Sequence, residues 1–119
     1  MPEPINPTQV AQQLAALARD LDVTVSQLEF ADRDSTEKRA AADLAFSRAF
    51  IAAVGSVDLR KHTALVETHH HRLDADVADA LVRHLRRRVD ALKVRIDVGR
   101  TWSSALKAEL SLTGHMGEA

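Results

Sequence analysis

The sequence predicts an all-α protein: a long helical hairpin with a short N-terminal helix, assembled as a coiled-coil-like oligomer. Three observations predict it. Alanine and leucine dominate the apolar content, and the aromatics are limited to Phe30, Phe46, Phe50 and Trp102, a composition that suits close-packed helices. All three prolines fall within the first seven residues, and the four glycines stand at 55, 99, 114 and 117. From Val57 to Val98 run 42 residues with neither. As unbroken helix they would span about 63 Å, a rod that a hairpin or a coiled-coil oligomer uses and a single globule does not need. The length of 119 residues suggests one domain, 1–119.

The elements follow in order. Asn6-Pro7-Thr8-Gln9 reads as a helix start: Asn6 caps, Pro7 suits the first helical position, and Gln9 reaches back. Val10, Leu14, Leu17 and Leu21 give an apolar stripe, so helix 1 is expected over 7–22. "VTVSQLEF" is a weak break with Thr24 or Ser26 as the next cap, and helix 2 is expected over 24–54. Its middle, "ADRDSTEKR", is polar all round, which predicts a kink or a frayed turn. Gly55 suits the position after a helix, and Ser56 suits the cap of the next one.

A long helix over 57–112 follows, with a bend or a close approach at Gly99, and then a frayed tail. Thr63, Val66, His70, Leu73, Val77 and Leu81 lie at spacings of three or four. Leu85, Val89, Leu92, Ile96, Gly99, Ser103, Leu106 and Leu110 then alternate in steps of four and three, a heptad seam after a stutter. Leu85, Val89, Leu92, Ile96, Trp102, Leu106 and Leu110 are the candidates for oligomerisation.

The charge is uneven. Residues 1–43 carry four bases and eight acids, and residues 83–119 carry eight bases and four acids, within a net charge of −1. Such asymmetry points to self-association or polyanion binding. The bases gather in "LVRHLRRRVDALKVRIDVGR", residues 81–100, as Arg83, Arg86, Arg87, Arg88, Lys93, Arg95 and Arg100, opposed by Asp90 and Asp97. With Val89 at heptad position a, Arg86, Lys93 and Arg100 fall at e, and Arg88 and Arg95 fall at g, followed by Trp102. A parallel two-stranded homodimer would set these bases against one another. Two arrangements relieve the repulsion. The bases meet acids of a helix folded back at Gly55, where Asp22, Glu29, Asp32 and Asp34 wait, or they track the phosphates of a nucleic acid by charge. Trp102 could stack on an unpaired base, although packing is the commoner use of a lone large aromatic.

Other chemistry is not indicated. The absence of cysteine excludes disulfides and thiolate metal sites. Adjacent His69, His70 and His71 stand about 100° apart on a helix, so they do not converge on one ion, and no metal or other cofactor is expected. There is no phosphate loop, nucleophile elbow or H-E-x-x-H motif, so no enzyme is expected. No apolar run reaches the roughly 20 residues of a membrane span, and "MPEPINPTQV" lacks the features of a signal peptide. A soluble, intracellular protein with no membrane partner is the expectation.

The stretches "FSRAFIAAVGSVDLRKHTALVET" (46–68) and "DALKVRIDVGRTWSSALKAEL" (90–110) resemble small helical proteins encoded beside bacteriophage recombination genes. The second is similar to the C-terminal part of UvsY-type recombination mediators, with Asp90-Ala91-Leu92-Lys93 and Arg95 matching that family's acid, small, aliphatic and basic pattern. The resemblance implies a ring-like homo-oligomer in the cytoplasm of an infected bacterium. That protein would bind single-stranded DNA and help a phage recombinase displace single-strand-binding protein. It implies assembly through Leu92, Ile96, Leu106 and Leu110, and a DNA contact at Arg72-Leu73, where histidines replace the lysine of the family. The nucleic-acid-binding candidates are therefore Arg72, Arg83, Arg86, Arg87, Arg88, Lys93, Arg95 and Arg100. The alternative is a non-enzymatic structural or interaction protein, such as a virion component or assembly factor, whose basic helix pairs with acidic helices.

Overall fold

The computed structural model describes residues 6–117, and these form three helices in a hairpin topology: α1 (Pro7–Ala52), α2 (Val57–Glu67) and α3 (His69–Gly117). Among the described residues there is no strand, as the composition and periodicity predict. The helices pack as two units. One joins residues 6–25 with residues 87–117, and the other comprises residues 26–86.

The start of α1 is the reciprocal cap read from the sequence. The Asn6 side chain accepts from the Gln9 backbone N–H at 2.8 Å, and the Gln9 side chain accepts from the Asn6 N–H at 3.2 Å. The expected end at Asp22 does not occur, and helices 1 and 2 are one helix of 46 residues. Thr24 does not cap. Its hydroxyl donates to the Asp20 carbonyl at 2.7 Å, and the residue is buried between Leu21 and Leu28 in an uninterrupted seam. A run of β-branched residues costs a helix only tenths of a kcal/mol each, less than continuing a buried heptad seam gains.

The polar middle of α1 is likewise unbroken. Ser35 is buried and donates to Asp79 of α3, and Arg39 pairs with Asp76 at 2.8 Å and Asp79 at 2.6 Å. Those side chains give a polar segment partners across the hairpin, so it neither kinks nor frays.

Gly55 and Ser56 behave as read. Gly55 has φ +116°, the left-handed region, and Ser56 accepts from the Leu59 N–H at 3.2 Å to cap α2. No basic residue stands in the last turn of α1, and Arg60 of α2 supplies one. Its guanidinium donates to the Phe50 carbonyl at 3.1 Å and lies 4.6 Å from the Phe50 ring centroid.

The expected long helix over 57–112 is divided at Thr68. This residue is buried, has φ −106° and ψ 13°, and its hydroxyl donates to the Ala64 carbonyl at 2.6 Å. A threonine that back-bonds in this way competes with the helix ladder. Beyond it α3 runs to Gly117, into the tail "SLTGHMGEA", residues 111–119, expected to fray. It passes Gly99 as continuous helix. Gly99 serves close approach, because a Cβ there would lie 2.6 Å from Leu14 Cδ2 of α1.

The buried face of residues 57–82 differs from the expected seam. Ala64, Thr68, Ala75, Ala78 and Val82 are buried, whereas Val66, Leu73, Val77 and Leu81 are exposed, as is His70. Small residues let α1 and α3 approach closely, and Ala31, Ala42 and Ser35 answer them on the α1 side. The larger aliphatics are displaced to the opposite face. The buried positions from Ala64 to Leu92 alternate in steps of four and three with half-buried His71, so the stutter expected before Leu85 is not present.

Candidate nucleic-acid interface

Burial of the a and d positions of α3 fixes where its bases lie. In the unit of residues 26–86, Val82 and Leu85 pack with Leu28 and Ala31. In the other unit Val89 and Leu92 are buried, with Ile96 and Leu106 half-buried. The chain's own α1 therefore covers Leu85, Val89 and Leu92 of the seam assigned to oligomerisation. Trp102 and Leu110 are exposed, at 57% and 58%. A seam in one sequence does not say whether its partner is the same chain or another.

In the unit containing residues 87–117, Arg87, Arg88, Lys93, Arg95 and Arg100 are all exposed. Among the described residues, the first four make no ion pair within 4 Å, and Arg100 reaches only Asp97 on its own helix, at 4.0 Å. The α1 segment of this unit offers two acids, Asp20 and Asp22. Lys93 and Arg100 lie along one edge of the buried stripe. Arg88, Arg95 and Trp102 lie along the other, seven residues apart, a step of about 10.5 Å.

In the other unit, Arg86 meets Asp32 at 3.6 Å with both side chains more than half exposed, a pair of the kind that contributes little. Of the four acids proposed to hold the bases, Asp32 alone has such a contact with them among the described residues. Arg83 is exposed and adds a minor field that favours the charged form of Asp79. Arg72 does not belong with these residues. It is half-buried and donates to the Leu65 carbonyl at 2.6 Å, and its Nη1 is buried without a partner. It ties α3 to α2 across the Thr68 break through its Nη2.

The sequence reading missed two features. A groove of about 240 Å³ lies between α1 and α3 in the first unit, with Val10, Leu14, Leu17 and Val98 as apolar walls. Gly99 and Trp102 complete it, and Gln13 and Arg95 supply its polar groups. Periodicity signals a seam but not a gap in one, although a glycine at a seam position was the available hint. The break at Thr68 also sets His62 and His69 into one groove with Arg72. Among the described residues no cluster of three His, Cys, Asp or Glu side chains is placed to hold a metal ion, and no helix is long and apolar enough to cross a membrane. Comparison with family models, curated proteins and solved structures finds no match to this chain.

Proposed function

We propose that the protein is a non-enzymatic binder of single-stranded DNA that holds the strand by phosphate contacts along α3. The observation that carries this reading is the set of exposed bases Arg87, Arg88, Lys93 and Arg95, without an ion pair among the described residues, beside an α1 segment with two acids. Charges of one sign on one helix are repulsive unless a counter-charge meets them, and a nucleic-acid backbone supplies one at every nucleotide. Arg83, Arg86 and Arg100, also exposed, extend the same field. A recombination mediator that works with a phage recombinase or a single-strand-binding protein, as a homo-oligomer, is the narrower form of this reading. It is supported by the resemblance of residues 46–68 and 90–110.

The test is fluorescence anisotropy of a labelled single-stranded oligonucleotide at about 50 mM and 200 mM salt, the range over which phosphate-dominated binding changes strongly. Substituting Arg88, Lys93 and Arg95 together by alanine is expected to weaken binding and lower the log–log salt slope by about two units, near 0.7 for each lost phosphate contact. An unchanged slope would show that these residues do not meet phosphate.

The second reading is an interaction protein whose basic helix meets acidic helices, and the Arg86–Asp32 contact favours it. It predicts no binding of the oligonucleotide at low salt.

A further inference from the structure

We propose that the groove between α1 and α3 beside Trp102 is a binding site for one unstacked nucleobase of a single strand. This rests on the reading of the protein as a single-strand binder and adds a site to it that does not depend on charge.

Gly99 and Leu14 both line the groove, and the missing side chain at Gly99 is what lets Leu14 come within 2.6 Å of the point where a Cβ would stand. Leucines of α1 and Val98 make the walls. Trp102 stands at the mouth with 57% of its surface exposed. A large aromatic left this open beside an apolar groove is surface that a ligand can cover.

The rim is not apolar. Arg95 lines the groove, and Arg88 lies two turns before it on the same edge of α3, both in one unit and both without an acidic partner among the described residues. Gln13 lines the groove from α1 and offers both a donor and an acceptor.

An indole face, a cation and an amide at one apolar groove are the components by which proteins hold single strands. The base stacks, the cation takes the neighbouring phosphate, and the amide meets the base edge. The occupant is therefore planar, aromatic and joined to an anionic backbone. A base within a duplex does not qualify, because its faces are covered by its neighbours.

Trp102 is the only tryptophan of the chain, so intrinsic emission reports on the groove directly. The full-length protein would be titrated with oligo(dT) and with an abasic oligonucleotide of the same length, which carries the phosphates without the bases. Oligo(dT) is expected to quench Trp102 and to bind more tightly, and the abasic strand to bind without quenching. Trp102→Ala, checked for folding by circular dichroism, is expected to lose about tenfold or more of its affinity for labelled oligo(dT). Its affinity for the abasic strand should not change, and Trp102→Phe should recover part of the loss.

Equal affinity for the two strands with no quenching would overturn the base site and leave the charge-based reading standing. Binding of neither strand would remove both. Emission that shifts with protein concentration alone, and not with oligonucleotide, would assign the groove to a second copy of the chain and overturn the proposal.

Discussion

Arg39 of α1 donates to the Asp79 carboxylate of α3 at 2.6 Å, and the buried Ser35 donates to the same carboxylate. Arg39 also reaches Asp76 at 2.8 Å. These residues are 37 to 44 positions apart in the chain, and their meeting fixes the antiparallel register of α1 and α3 within the unit of residues 26–86. The alanines around them would tolerate a slip, because small apolar side chains discriminate weakly between neighbouring layers. Placed charges do not tolerate it.

The pairing makes stability in acid depend on Asp79. Its carboxyl is held below the ordinary carboxylate range, first by the Ser35 hydroxyl and then by the Arg39 guanidinium. The Arg39 pKa is raised in turn, first by its hydrogen bond to Asp76 and then by that to Asp79. A lowered folded-state value means that Asp79 stabilises the fold fully above its ordinary value of about 3.9, and that this is lost as pH falls through the lower folded value. The raised Arg39 value leaves its contribution complete at every pH below its ordinary range. Thermal unfolding followed from about pH 5 to about pH 2 should show Asp79→Asn losing less stability than wild type over that interval. Parallel curves would mean that the pairing does not couple folding to this carboxyl.

Gly55→Ala should destabilise the protein by more than about 1 kcal/mol. Alanine at φ +116° is strained, and its Cβ would lie 2.7 Å from Leu59 Cδ2. Denaturant unfolding reads the loss as a lower midpoint at unchanged slope. An unaltered midpoint would show that the turn after α1 relaxes freely.

Ala75 and Leu73 distinguish the observed seam from the one expected. Ala75 is fully buried and Leu73 is 52% exposed. Ala75→Leu should overpack the contact of α3 with α1 and cost about 1–3 kcal/mol, whereas Leu73→Ala should change stability by no more than about 0.5 kcal/mol. The reverse ranking would restore the Leu73–Val77 face as the packed one.

The helix start at Asn6, the turn at Gly55–Ser56 and the seam from Leu85 to Leu106 were legible because each is a local pattern. A cap, a left-handed glycine and a four–three alternation need no knowledge of distant residues. The join at Val23–Val25 was not legible, because a weak cap at Thr24 competes there with a seam whose strength depends on what covers it. The face of α2 and the start of α3 was misread for a related reason. Val66, Leu73 and Val77 are more hydrophobic than Ala64, Ala75 and Ala78, and periodicity weighs hydrophobicity, whereas close helix packing selects small volume.

The candidate site divides in the same way. Seven of the eight nucleic-acid candidates are exposed on α3, as heptad geometry requires once the a and d positions are buried. Arg72 was misplaced because its partner, the Leu65 carbonyl, becomes accessible only at the break beside Thr68.

The sequence by itself determined that the chain is helical, where it turns at Gly55, and that its bases gather on one helix, since these follow from local propensity and spacing. Tertiary structure alone decided that α1 covers the Leu85–Leu92 seam, that alanines make the close contact, and that Gly99 and Trp102 border an open groove. Those outcomes depend on volumes and charges brought together from positions tens of residues apart, and no local pattern carries that information.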